Sequence, residues 1–275
     1  MAGTLYLVPT PIGNLNDISP RCARTLAEAD FIAAEDTRVS LKLLNHLEIK
    51  KSLVSYHEHN KAESGEKILA RLLAGETCAL VTDAGSPAIS DPGEDLVRLC
   101  AENGVTVCAI PGPCALVTAL SISGLPTGRF TFEGFLSVNK KSRQEHLTGL
   151  KDETRTMIFY EAPHKLLATL RDLADAFGED RKISLCRELT KLHEEVRRMT
   201  LDEAAAYYEE TPPRGEFVLV VAGAEEKPEA GCTFEAALEL VRARMAEGLS
   251  TKDAVKQVAK LTGFAKNLLY DAVVK

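Results

Sequence analysis

Four loops in this chain of 275 residues combine glycine, proline and charge in ways that suit ligand binding better than simple connection. The densest is Asp83-Ala84-Gly85-Ser86-Pro87-Ala88-Ile89-Ser90-Asp91-Pro92-Gly93, with a leading carboxylate, two glycines and two prolines in eleven residues. Proline fixes the backbone and glycine permits left-handed turns, so such a stretch is conformationally costly as a mere connector. It follows the apolar run Cys78 to Thr82. Pro9-Thr10-Pro11-Ile12-Gly13-Asn14-Leu15 follows Leu5 to Val8, and Pro111-Gly112-Pro113-Cys114-Ala115 follows Val105 to Ile110. The fourth loop, Tyr160-Glu161-Ala162-Pro163-His164, follows Thr156 to Tyr160. Loops just beyond strand carboxyl ends are where open parallel sheets bind ligands.

The elements that must position these loops follow from periodicity. Short apolar runs (Leu5 to Val8, Phe31 to Ala34, Leu53 to Tyr56, Cys78 to Thr82, Val105 to Ile110) alternate with helical stretches over Pro20 to Glu28, Val39 to Leu47, Ala62 to Ala74 and Gly93 to Glu102. That pattern predicts a parallel sheet covered on both faces. A Gly/Pro/Ser-rich stretch, 121–128, then precedes a second series. Its strands are expected at Phe130 to Phe135, Thr156 to Tyr160, Lys182 to Cys186 and Phe217 to Val221, and its helices at Ser142 to Leu150, His164 to Phe177 and Leu201 to Glu209. The fold class is α/β, with an N-terminal α/β domain over 1–120 and a second over 121–224. A polar tether, 224–231, leads to a helical tail over 232–275, which resembles a helix-turn-helix unit with Ser250 as an N-cap and a turn at Thr262-Gly263.

Composition narrows the partners. The net charge of −7 argues against a surface coated for nucleic acid, although 232–275 holds seven Lys/Arg against five Asp/Glu. Seven cysteines lie scattered without a Cys-x-x-Cys pair, as expected of reduced core residues in a cytoplasmic protein. No apolar run reaches the length of a membrane-spanning helix, so no membrane association is expected. The phosphate-binding, dinucleotide, nucleophile-elbow and zincin signatures are all absent. His57, Glu58 and His59 stand next to one another, and on a strand they would alternate faces, so no metal site is expected. Substrate contact is the reading kept for His57. Lys140, Lys141 and Arg143 follow Phe132 and Phe135, a mixture of cations and rings that suits unstacked RNA. Lys252, Lys256 and Lys260 recur every four residues and share one helix face, with Ala254, Val255, Val258 and Leu261 on the others.

The loop after the first strand, the Asp83 to Gly93 stretch and the Pro-Gly-Pro loop together resemble the tetrapyrrole methylase superfamily. Ala33 to Arg38, Tyr56 to Asn60, Glu133 to Leu136, Arg187 to Lys191 and the helical tail resemble its bacterial members that methylate the ribose 2′-oxygen of a decoding-centre cytidine in small-subunit ribosomal RNA. One departure is Ser137, where those members usually carry proline. The resemblance implies a homodimer and S-adenosylmethionine held in a cleft between the two α/β domains. It places cofactor contacts at Pro11, at Asp83, Ala84, Gly85, Ser86, Ala88, Ile89 and Ser90, and at Pro111 and Ala115. From the second domain it implies Tyr160, Glu161, Leu189 and Thr190. Asp83 is expected near the cationic part of the cofactor.

Methylating a hydroxyl requires removal of its proton or stabilisation of the oxyanion. Glu35 or Asp36 is the expected base or its orienter, and Arg38 the grip on a neighbouring phosphate. The same cluster also reads as a helix cap from Asp36 or Thr37. Two rival functions stay open, a ring-carbon methyltransferase of the same superfamily and a non-catalytic RNA-binding assembly factor.

Overall fold

The computed structural model describes residues 2–225 and 233–274. Most of the expected tether, 226–231, and the first residue of the expected tail, Cys232, lie outside the described residues. The chain divides into two compact units, Met1–Gly223 and Ala224–Lys275.

The first unit begins with β1 (Thr4–Leu7), α1 (Pro20–Glu28), β2 (Phe31–Ala34), α2 (Thr37–His46), β3 (Leu53–Ser55), α3 (Lys61–Leu73), β4 (Cys78–Val81), α4 (Gly93–Glu102), β5 (Thr106–Ala109) and α5 (Ala115–Ile122). Its strands form a sheet in the order β3-β2-β4-β1-β5. Every neighbouring pair is parallel. Side chains alternate across it. Leu5, Phe31, Ala33, Cys78 and Leu80 pack on Ile68 and Leu72 of α3 and Leu96 of α4. Ile32, Ala34, Ala79 and Val81 pack on Cys22 and Leu26 of α1 and Leu44 of α2. Burial of both faces is why these strands read as unbroken apolar runs.

The chain continues through β6 (Phe130–Phe135), α6 (Lys140–Gly149), β7 (Thr156–Glu161), α7 (Leu166–Phe177), β8 (Lys182–Arg187), β9 (Glu195–Thr200), α8 (Leu201–Glu210) and β10 (Phe217–Val221). The second sheet has the order β6-β7-β10-β8-β9. Only β6 and β7 pair in parallel; the rest are antiparallel. The sequence pattern gave no sign of β9. It is an edge strand whose Glu195 pairs with Arg187 at 3.2 Å and Arg197 at 2.5 Å, and charges on an edge mask the apolar alternation while blocking further strand addition.

One face of this sheet buries Met157, Phe159, Leu185 and Leu219 against α7 and α8. The other buries Ile158, Cys186, Val218 and Val220 against Leu116, Ala119 and Leu120 of α5. Thus α5 follows the first sheet in the chain yet covers the second, and the boundary expected at 120/121 cuts through it.

The second unit holds α9 (Phe234–Ala246), α10 (Thr251–Thr262) and α11 (Lys266–Val274). Ser250 caps α10, its Oγ accepting from Asp253 N at 3.2 Å, and Gly263 ends it at φ +74°. Ala254, Val255 and Val258 pack with Ala237, Val241 and Leu269. Lys252, Lys256 and Lys260 are exposed as expected, but so is Leu261, 52% exposed; the last buried position of α10 is Thr262. No helix among the described residues is long and apolar enough to cross a membrane.

Candidate active site

The carboxyl ends of β1, β2 and β4 face the ends of β7 and β8 and the start of β10 across a cleft that holds a cavity of about 550 Å³. Its walls are loops tied to one another. Thr10 and Gly85 exchange two backbone hydrogen bonds of 2.9 and 3.0 Å, and Thr10 Oγ1 donates to Thr82 O at 3.1 Å. Ser86 Oγ donates to Pro113 O at 2.9 Å, which fastens the third loop to the second. Within the Asp83 to Gly93 loop, Ala88 and Ser90 hold positive φ of 67° and 65°, a region L-residues enter only when their surroundings enforce it. Asp91 enforces it. Its Oδ1 accepts from Ala88 N at 3.0 Å and Gly93 N at 2.7 Å. Across the cleft, a Cβ on Gly13 would stand 2.4 Å from Lys191 Cγ and 3.1 Å from Leu189 O, so only glycine permits this approach of the first loop to the one after β8.

The second-sheet wall combines rings and a buried acid. Tyr160 OH accepts from Leu116 N at 3.1 Å, and its ring meets Phe132 and Phe135 edge-on at 4.9 and 5.6 Å. Burial pushes its phenol pKa up to about 12. Glu161 is 4% exposed; it accepts from Ala162 N at 2.9 Å and from the Thr169 hydroxyl. Thr169 in turn accepts from Arg143 at 2.9 Å, and Arg143 lies 2.6 Å from Asp172.

Three carboxylates line the first-sheet side. Glu35 accepts from Thr82 Oγ1 at 2.8 Å. Asp83 accepts from Asp36 N at 3.1 Å, and burial, with Glu35 and Asp36 close by, raises its pKa. Burial likewise raises the Asp91 carboxyl, whose Oδ2 is buried without a partner. An unpaired buried oxygen of this kind marks a place for a cation or donor from a ligand.

A folded-state carboxyl pKa above its unfolded value destabilises the ligand-free protein as pH rises through that range, whereas a cationic ligand needs the ionised form. Asp91→Asn keeps an oxygen for Ala88 N and Gly93 N but removes the charge, and is therefore expected to weaken a cationic ligand by about tenfold. Calorimetric titration checks the sign. In the native protein the affinity is expected to fall with acidification at higher pH than an ordinary aspartate gives.

Residues 4–205 match the family described as Tetrapyrrole (Corrin/Porphyrin) Methylases, and residues 233–275 match the RsmI C-terminal HTH domain. The chain is 49% identical to Ribosomal RNA small subunit methyltransferase I of Synechocystis sp., over 98% of this chain and 96% of that one. It is 46% identical to the protein of the same name from Bacillus subtilis, over 98% and 94%. The chain belongs to the tetrapyrrole methylase family, in its ribosomal RNA small subunit methyltransferase I branch. The chain is thus a methyltransferase, and the cleft is its candidate active site. Solved structures share the fold at low identity. One is the uroporphyrin-III C-methyltransferase of Thermus thermophilus complexed with S-adenosylhomocysteine, with TM-score 0.56 and 20% identity over 80% of this chain and 97% of that one. Another is a diphthine synthase, with TM-score 0.61 and 14% identity over 80% and 90%.

Of the sequence-derived candidates, Glu35, Asp83, Ala84, Gly85, Ser86, Ile89, Ser90, Ala115, Tyr160, Glu161 and Leu189 line this cavity. Pro11 instead lines a smaller neighbouring cavity, while Ala88, Pro111 and Thr190 line neither. Asp36 is the N-cap of α2: it accepts from Arg38 N at 2.8 Å and pairs with the Arg38 guanidinium at 2.6 Å, which holds its carboxyl far below the usual range. Arg38 remains largely exposed, with its guanidinium on Asp36.

His57 lies in the turn after β3, outside both cavities, its ring edge-on to His59 at 6.0 Å. No group of three or more His, Cys, Asp or Glu among the described residues is placed to hold a metal ion. The expectation for Arg143 is corrected. It is 8% exposed and bound inside the unit, so it offers no cation to RNA; Lys140 and Lys141 are exposed at the start of α6.

The sequence reading passed over Asp91, Ile12, Lys191 and Glu216, all on the cavity wall. Asp91 stood within the singled-out stretch, and its place before Pro92-Gly93 was the available signal. Lys191 bridges Glu188 at 2.8 Å and Glu216 at 2.9 Å, partners brought together only by the sheet.

Proposed function

We propose that this methyltransferase uses S-adenosylmethionine to methylate the ribose 2′-oxygen of a cytidine in the decoding region of small-subunit ribosomal RNA. The observation that carries the reading is the match over nearly the full chain, tail included, to proteins named for that subunit's RNA. The cavity fits the cofactor. Its volume of about 550 Å³ suits a small ligand, Ile89, Leu189 and Phe135 offer apolar wall for the adenosyl group, and the partnerless Asp91 oxygen suits a cationic one. When bound, S-adenosylmethionine supplies an electrophilic methyl group on a positively charged sulfur.

The chain's own residues do the rest. Asp83 and Asp91 place negative charge where that cation is held, and the tied loops shape the walls before ligand arrives. Glu35 accepts the hydroxyl proton as the new C–O bond forms, with one carboxylate oxygen engaged by Thr82 and the other left for the acceptor. Asp36 and Arg38 support α2 beside it.

The reading extends to exposed Lys140, Lys141, Lys252, Lys256 and Lys260 as phosphate contacts, and to action in the cytoplasm. It also includes a homodimer, supported by exposed apolar side chains such as Val117 and Leu192, 56% and 93% exposed. Incubating the protein with methyl-labelled S-adenosylmethionine and unmodified small subunits, then locating the label, tests the function. Label at a cytidine 2′-oxygen is expected; label on a base, or none, overturns it. Deleting residues 232–275 is expected to weaken small-subunit binding at least tenfold with S-adenosylhomocysteine affinity unchanged, as read by filter binding and calorimetry. Equal subunit affinity would remove the tail from RNA recognition.

A further inference from the structure

A second cavity of about 210 Å³ lies between the loop after β1 and the outer face of α2, and it shares Thr82 and Asp83 with the large cavity as a common wall. Its chemistry is mixed. Leu15 and Val39 are apolar side chains at its rim, 44% and 38% exposed. Ser40 lies deeper: it is 4% exposed, and its Oγ is buried with no hydrogen-bond partner. A helical serine commonly donates to the carbonyl one turn back, and this one does not, so the fold leaves a donor and acceptor uncommitted in the cavity wall. Lys42 lines the same cavity, and Arg38, one turn before it on α2, lies on the same side of the helix.

We propose that this second cavity receives the acceptor nucleoside of an unpaired RNA strand. Ser40 Oγ bonds the polar edge of the base or sugar, Leu15 and Val39 flank its ring, and Lys42 with Arg38 meets the adjoining phosphates. Thr82 and Asp83 then form the rim common to the two cavities, past which the ribose hydroxyl reaches toward the donor, and Glu35, bonded to Thr82, stands on the donor side of that rim. The assignment rests on the reading of the chain as an RNA methyltransferase and adds the place where the acceptor enters.

The test uses the full chain, with Val39→Trp to fill the cavity from its exposed rim and Ser40→Ala to remove the hydroxyl. Three readouts are compared. They are S-adenosylhomocysteine affinity, the KM for unmodified small subunits, and photo-crosslinking to a synthetic RNA that spans the methylated position and carries 4-thiouridine beside it. Expected are unchanged S-adenosylhomocysteine affinity and unfolding temperature, a KM raised at least tenfold by Val39→Trp and several-fold by Ser40→Ala, and a wild-type crosslink within 9–15 or 37–46 that Val39→Trp abolishes. A wild-type KM for both variants, or a crosslink elsewhere, overturns the assignment. Should wild-type protein transfer no methyl group to the subunit, the functional reading fails by itself, and the crosslink alone still decides the cavity.

Discussion

Replacing Glu35 by glutamine is expected to lower methyl transfer by about 10²–10⁴-fold, the range for loss of a positioned general base. The amide keeps the shape of the side chain and can still accept from Thr82 Oγ1, now at 2.8 Å from the carboxylate. S-adenosylhomocysteine affinity should therefore stay within a few-fold of wild type. The neighbouring Asp36→Asn is the informative contrast. Its carboxylate is already engaged as the N-cap of α2 and with Arg38, and asparagine is itself a good N-cap, so turnover should change little. Single-turnover assays with labelled cofactor check the pair. Wild-type turnover in Glu35→Gln would remove it as base, and loss in Asp36→Asn alone would reverse the assignment.

Arg143→Ala is expected to destabilise the first unit by about 3 kcal/mol, the lower end of the cost of breaking a buried ion pair. The Asp172 side chain, 32% exposed, recovers some hydration and limits the loss. Denaturant unfolding measures it, with Lys140→Ala as a surface control close to zero. A second consequence reaches the cavity. Arg143 holds Thr169, which holds Glu161 on the cavity wall, so cofactor affinity should fall together with stability. A change below about 1 kcal/mol would mean the network is dispensable.

Arg143 also shows where the sequence misled. Next to Lys140 and Lys141 it read as a third RNA-facing cation, yet Leu147, four residues on, is buried on the same helix face. That spacing was the available sign that position 143 points inward. The parallel sheet was legible because Phe31 to Ala34 and Cys78 to Val81 are buried on both faces and carry no polar residue. The Asp83 to Gly93 loop was legible because its glycines and prolines restrict the backbone. What stayed hidden depends on partners far apart in the chain: β9, whose charges answer Arg187, and α5, whose apolar residues fit either sheet until Ile158 and Val218 are in place.

The strand order has a consequence during synthesis. β1 is flanked by β4 and β5, so Leu5 and Leu7 have no strand partner until Cys78 to Leu80 has been made. At about 5–20 residues per second, that interval is roughly 4–15 s. The bond between Thr10 and Gly85 cannot close earlier, and β10, central to the second sheet, arrives last of its strands. The first apolar segment therefore stays without its strand partners over that interval, and the cleft between the two sheets is complete only once synthesis has passed residue 221.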